Sequence, residues 1–248
     1  MKRLQIIQEV FKKTDFETYL EIGCYRGKTF FSVNAKYKIA VDPFFHVLFM
    51  KDAVLATIKA FRNIRNKYFQ LESDVFFEIK KDFLNRVKPI DVVLIDGLHT
   101  FETSLNDVLN SLLYLNKQGV IIMHDCLPPN KGAALPTKNF PTLEEQSKEE
   151  SWSGAWCGDV WKTIVYLIKV HPAELEVCVI NTDLGLGIVR FKEGVPKKEI
   201  IIDKNVFLEI DQMTYDDLIQ DVENLLSLKN VNYAVELIND IALQRKSL

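Results

Sequence analysis

Tyr19-Leu20-Glu21-Ile22-Gly23-Cys24-Tyr25-Arg26-Gly27-Lys28-Thr29 is an apolar run that stops at one glycine and passes a second four residues later. The pattern predicts a buried strand ending at Gly23, a short loop, and a helix opening near Gly27. Glycine at those two places permits positive φ and close approach of the backbone to a ligand. The start of the helix aims free N–H groups at whatever sits above the loop. Gly23-x-x-x-Gly27-Lys28-Thr29 is one residue shorter than the G-x-x-x-x-G-K-[ST] phosphate loop. A loop that wraps phosphates turns each N–H inward, and a missing residue breaks that arrangement.

Outward from this stretch, strands and helices alternate. Leu4, Ile7, Val10 and Phe11 recur at helical spacing and predict a lead-in helix over 2–13. After the glycine loop, a helix to about 35 leads to a strand over 38–42 that ends in Asp42 and is closed by Pro43. A helix over 47–63, a strand over 68–71, the pair Ser73-Asp74 and a helix to about 87 follow. Residues 90–96 form an apolar strand of the kind covered on both faces. A helix over 100–116 then leads past Gly119 to a strand over 120–124. Such alternation predicts a parallel sheet with right-handed crossovers and helices on both faces. Ligands bind beyond the carboxyl ends of its strands. Gly23, Asp42, Asp74, Asp96 and Asp125 all fall at that edge.

Residues 127–158 break the pattern with Pro128, Pro129, Pro136, Pro141, an acidic patch at 144–150, Gly154 and Gly158. An irregular stretch of this length reads as a lid or substrate-binding insertion. A helix over 159–170 and a hairpin of strands 175–180 and 186–191 restore order and place one antiparallel strand beside the parallel ones. Residues 193–248 form a C-terminal helical extension. Thr214-x-x-Asp217 caps a helix to about 228, and a second runs over 231–244. These helices can cap the lid or form a homodimer face.

The net charge of −3 offers no electrostatic case for nucleic acid, and 48% apolar residues suffice for a core. No run approaches the ~18–20 apolar residues of a membrane span. Cys24, Cys126, Cys157 and Cys178 are dispersed, as in a reduced cytoplasmic protein without a zinc or disulfide framework.

Glu21-x-Gly23-x-x-x-Gly27 resembles the first motif of class I S-adenosylmethionine-dependent methyltransferases, and the resemblance extends over about residues 15–192. It implies an α/β fold: a Rossmann-like seven-stranded, mostly parallel sheet with helices on both faces and an antiparallel last strand. Residues 1–192 would form the S-adenosylmethionine-binding domain. The donor carries a sulfonium cation, an ammonium group and two ribose hydroxyls but no phosphate, so its site should hold acids. Asp42 is placed to accept both ribose hydroxyls. Glu21, beside the loop residues Gly23, Tyr25 and Gly27, would hold the ammonium group. Asp74 stands where the family contacts the adenine amine, and Asp96 completes the cofactor set.

Ile95-Asp96-Gly97-Leu98-His99 and Met123-His124-Asp125-Cys126 end two further strands. Converging carboxylates repel unless a proton or cation lies between them, and Mg²⁺ suits carboxylate oxygens. These segments resemble the metal-dependent O-methyltransferase branch that includes catechol and antibiotic-sugar enzymes. The resemblance implies metal ligands at Asp96 and Asp125 and a basic catalytic residue at His99. The branch completes its ligand set with an asparagine where this chain has Cys126, so the third ligand comes from elsewhere or the metal is absent. His99 is then the general base for an acceptor hydroxyl held near Asp96. His124, alternating to the opposite strand face from Asp125, is read as structural, and Asp107 as a helix-surface or packing residue. Trp152 and Trp156 suit a sugar face, whereas Trp161 reads as core. A Gly158-Asp159-Val160-Trp161-Lys162 stretch resembles those of sugar-modifying relatives. The function implied is O-methylation of a small-molecule or sugar acceptor. A metal-free N-methyltransferase, a cofactor-binding protein without turnover and a phosphate-loop nucleotidase are the alternatives.

Overall fold

The structure, a computed structural model, describes residues 1–46, 65–87, 89–194 and 201–246. The helix expected over 47–63 lies outside them. Strands β1 (Thr18–Ile22), β2 (Tyr37–Val41), β3 (Lys67–Phe69), β4 (Ile90–Ile95), β5 (Leu115–Met123), β6 (Leu175–Ile180) and β7 (Leu186–Phe191) form one sheet in the order β3-β2-β1-β4-β5-β7-β6. The pairs among β1 to β5 are parallel, and β7 runs antiparallel to both β5 and β6. The expected single antiparallel strand is therefore β7.

Alternation along each strand divides the core between the two sheet faces. Leu20, Ile22, Val93, Ile95, Ile121 and Met123 face one side. Helices α3 (Ser73–Ile79), α4 (Lys81–Arg86), α5 (Phe101–Tyr114) and α7 (Trp161–Val170) cover it. Tyr19, Val92, Leu94, Val120 and Ile122 face the other side. There α1 (Arg3–Lys13), α2 (Lys28–Ser32) and α11 (Tyr233–Lys246) close the layer. Every residue of β1 and β4 is buried, as strands sandwiched between helices require. Trp161 is core, as its helical position implied.

Several boundaries differ from those expected. The first loop helix stops at Ser32 because Val33 leaves the helical region with ψ 132°. The single helix expected from Ser73 to about 87 is two, since Lys80 ends α3 with φ −105° and ψ 18°. Strand β3 begins at Lys67, pairing with Ile39, and ends at Phe69. Strand β5 begins at Leu115 rather than Val120, because Leu115 already pairs with Ile90 ahead of a register shift.

Between β5 and α7 the chain is irregular apart from α6 (Leu143–Lys148), which Thr142 and Glu145 cap reciprocally. Past β7 come α8 (Lys204–Asp211), α9 (Tyr215–Gln220) and α10 (Val222–Leu225). Thr214 caps α9 with Asp217 as expected, but the helix breaks at Asp221, with φ −149°. The C-terminal helices divide between the two faces. Lys162 Nζ in α7 donates to the Asp211 carbonyl at the end of α8 (2.7 Å), while Asp240 in α11 pairs with Arg190 of β7.

Candidate active site

The carboxyl ends of β1, β2 and β4 open into a cleft of about 470 Å³. Gly23, Tyr25, Asp42, Asp74 and Asp96 line it, with Glu72, Gly97, Leu98 and Thr103. No lysine or arginine is among the described lining residues. The loop is drawn tight at Gly23, whose φ is +84° and where a Cβ would fall 2.0 Å from the Asp96 carbonyl oxygen. Glycine is the residue that satisfies both conditions. Asp42 organises this side of the cleft: its Oδ2 accepts from the Tyr25 N–H (2.7 Å) and its Oδ1 from the Phe44 N–H (2.8 Å). Each carboxylate oxygen still has acceptor capacity toward the cleft.

Two of the expected cofactor residues stand elsewhere. Gly27 is the left-handed residue that starts α2. Glu21 points to the opposite sheet face, where the Tyr19 hydroxyl donates to its Oε2 (2.6 Å). Burial, only partly offset by that hydrogen bond, raises the Glu21 carboxyl to about 8. Its strand position dictates this, because Glu21 shares the face of Tyr19, not that of Ile22.

Next to the cleft, Asp96, His124 and Asp125 each bring a ligand atom within 4.8 Å of the others. His124 Nδ1 lies 2.7 Å from Asp125 Oδ2 and 3.2 Å from Asp96 Oδ1. The placement expected for His124, on the opposite face from Asp125, is thereby corrected. Strand β5 ends at Met123 and Asp125 takes φ +62°, so strand alternation no longer separates the two side chains. Burial alone would disfavour the imidazolium, but hydrogen bonds to Asp125 and Asp96 outweigh it and push His124 up to about 9. Cys126, at the expected third position, is turned into the core with its thiol raised by burial. The Cys126 thiol is therefore turned away from Asp96 and Asp125, and the group that meets both carboxylates is the imidazole of His124.

His99 completes the cluster. Its Nδ1 lies 2.6 Å from the Trp156 carbonyl, which can only accept. The neutral ring therefore carries its proton on Nδ1 and presents a lone pair on Nε2, 3.3 Å from Asp125 Oδ2 and 4.0 Å from Asp96 Oδ1. The insertion holds this turn in place. A Cβ at Gly158 would fall 1.9 Å from the His99 carbonyl oxygen, and Asp159 Oδ1 accepts from the Phe101 N–H (2.7 Å). Trp156 lies over His99 with ring centroids 5.1 Å apart, and Phe140 meets both Trp152 and Trp156 edge-on.

Sequence reasoning missed two further groups, Arg3 and Cys157, and did not place a third, Asp107, at the cleft. Arg3, at the start of α1, reaches within 3.6 Å of Asp96 Oδ2 and also pairs with Asp183. The Cys157 thiol donates to Asp125 Oδ1 (3.4 Å). Asp107, expected on a helix surface or in packing, is 1% exposed and lines the cleft. Arg3 and Cys157 lie far from Asp96 and Asp125 in the chain and carry no local motif. Asp107 stands between Leu105 and Val108, both fully buried, and that apolar setting was a usable signal.

Residues 20–126, which hold the glycine loop and the cluster as far as Cys126, match a family model described as a methyltransferase domain. That match spans less than half of the chain, and it is to a methyltransferase domain. Its fold is shared by the methyltransferase PaMTH1 of Podospora anserina, solved with S-adenosylhomocysteine bound. That protein is 17% identical over 78% of this chain and 80% of its own, with a TM-score of 0.53. A Klebsiella pneumoniae protein assigned as an O-methyltransferase is 13% identical over 77% of this chain and 80% of its own, with a TM-score of 0.54. No curated protein matches the chain in sequence. The seven-stranded sheet belongs to the fold that this chain shares with those two proteins.

Proposed function

We propose that this methyltransferase moves the methyl group of S-adenosylmethionine to a hydroxyl of a small molecule or sugar. One observation carries the reading: Asp96 belongs both to the acid-lined cleft and to the Asp96–His124–Asp125 cluster. A cationic donor in the cleft and an acceptor at the cluster would then meet at one residue. The cleft fits the donor in chemistry, since acids favour a sulfonium and an ammonium group and would repel a triphosphate. Asp42 would accept the ribose hydroxyls and Asp74 the base amine, with Gly23 and Tyr25 closing the loop side.

Two carboxylates and an imidazole fit a divalent cation. Asp96, His124 and Asp125 would hold it, and a cation there lowers the pKa of an acceptor hydroxyl by Lewis acidity. His99 Nε2 takes the acceptor's proton, its ring fixed by the Trp156 carbonyl. Trp152, Trp156 and Phe140 of the 127–158 insertion wall the acceptor side. Much of the acceleration would come from aligning two bound molecules.

The imidazole makes Mn²⁺ or Co²⁺ a better occupant than Mg²⁺. Calorimetry at neutral pH is expected to rank them so, and His124→Asn to abolish the difference. With His124 at about 9, a cation must displace its proton below that pH. Affinity should therefore rise about tenfold per pH unit toward pH 9, with one proton released per ion. Binding independent of pH would remove His124 from the ligand set.

The donor site is tested separately. Asp42→Ala is expected to weaken S-adenosylhomocysteine binding about 10–100-fold, because charge-assisted hydrogen bonds are lost. Unchanged affinity would remove Asp42. Activity is tested by screening nucleotide-sugars, glycosides and catechols with labelled S-adenosylmethionine, with Mn²⁺ or Mg²⁺ and with chelator. The His124 imidazolium and the Arg3 guanidinium together balance the carboxylate pair without a metal ion, which favours a second reading, metal-free N-methylation. Full activity in chelator on an amine acceptor would establish that reading.

A further inference from the structure

Two parts of the chain have no task in the reading above: the C-terminal helices and the Asp159–Lys162 stretch that opens α7. They meet at a second cavity, of about 520 Å³, larger than the donor cleft. Leu135 and Pro136 of the insertion form one wall, Asp159, Trp161 and Lys162 another, and residues 211–216 at the α8–α9 turn a third. Lys162 is 4% exposed. Its Nζ lies 3.4 Å from Asp159 Oδ2 and donates to the Asp211 carbonyl (2.7 Å), which ties the second wall to the third. That contact uses the Asp211 backbone. The carboxylate of Asp211 and the amide of Gln212, both on exposed residues, stay open to a ligand.

The walls select the kind of ligand. Lys131 and Lys162 each lie beside an aspartate, at 3.7 Å and 3.4 Å, and Asp211 adds a further negative charge. A phosphate would meet net negative charge there. A wholly apolar ligand would bury carboxylate and amide groups without partners. A hydroxylated ring meets both demands. Its hydroxyls donate to carboxylates and accept from an amide N–H, and its C–H face suits the ring of Tyr215.

The cavity also lies within reach of the reaction site. Pro136 lines it, whereas Asn139 lines the donor cleft, and Phe140 meets Trp152 and Trp156 edge-on. The three residues from Pro136 to Asn139 span at most about 11 Å. The Leu135 carbonyl accepts from the Trp156 indole N–H (2.8 Å), so one strip of the insertion borders both sites. We propose that this cavity is a second carbohydrate subsite, holding a neighbouring ring of a glycan whose methylated ring lies at the Asp96 cluster. The proposal rests on the sugar-acceptor reading and narrows the acceptor to a saccharide of two or more rings.

The test applies labelled wild-type protein, saturated with S-adenosylhomocysteine, to an array of immobilised mono- and oligosaccharides. It is expected to retain oligosaccharides in preference to monosaccharides. A variant with Asp211→Asn and Gln212→Ala, both at exposed positions, should bind them about tenfold or more weakly, because hydrogen bonds to a charged group are lost. Its S-adenosylhomocysteine affinity, measured by calorimetry, should be unchanged. Retention of no oligosaccharide by wild type, or equal retention by the variant, would overturn the subsite and leave the donor reading standing. Failure of wild type to bind S-adenosylhomocysteine would overturn the methyl-donor reading, and this proposal with it.

Discussion

Replacing His99 by alanine is expected to lower methyl transfer about 10²–10⁴-fold, the usual contribution of a positioned general base. S-adenosylhomocysteine affinity should stay unchanged, because His99 does not line the cofactor cleft. The argument is one of tautomers. The Trp156 carbonyl fixes the proton on Nδ1, so the lone pair on Nε2 faces the space beside Asp96 and Asp125. His99→Gln keeps a donor toward the carbonyl but brings no basic nitrogen, so it should be nearly as slow as alanine. If the glutamine variant turned over at the wild-type rate, His99 would be a structural residue of the turn. Single-turnover rates with saturating donor are the cleanest readout, because they separate chemistry from binding.

Gly23→Ala is expected to cost about 2–5 kcal/mol of stability, combining the left-handed backbone penalty with overpacking. Its Cβ would fall 2.0 Å from the Asp96 carbonyl oxygen and 2.5 Å from the Gly97 Cα, and both are backbone atoms. Relief requires parting the ends of β1 and β4, which pair at Ile22 and Ile95. Gly154 supplies the control. It has nearly the same φ, +85°, but nothing within 4 Å of a built Cβ. Gly154→Ala should therefore lose only the backbone penalty, about 1–2 kcal/mol. Denaturant midpoints of the two variants isolate the clash, and equal losses would show that the close approach at Gly23 is not tight.

The parallel core was legible because its strands are buried on both faces and read as apolar runs between glycines and acids. Gly23, Asp42, Asp74 and Asp96 could be placed at one edge for that reason alone. Side-chain direction was legible only while the strand lasted. Glu21 lies inside β1, so its face is fixed by alternation, and counting from Tyr19 would have sent it away from the cleft. His124 and Asp125 lie one and two residues beyond β5, where a left-handed Asp125 resets direction, and counting misled. Cys126 was read as a failed ligand position, and the side chain that meets both carboxylates is instead that of His124. Arg3 and Cys157 reach the cluster only through tertiary packing, by α1 at one side and the insertion at the other.

The central claim is that an acid-lined cleft receives a positively charged adenosyl donor beside the Asp96 cluster. Calorimetric titration of the wild-type chain with S-adenosylhomocysteine and, separately, with ATP tests it most directly. One saturable site for S-adenosylhomocysteine, with no heat from ATP, is the expected result. Saturable binding of ATP with none of S-adenosylhomocysteine would contradict the account.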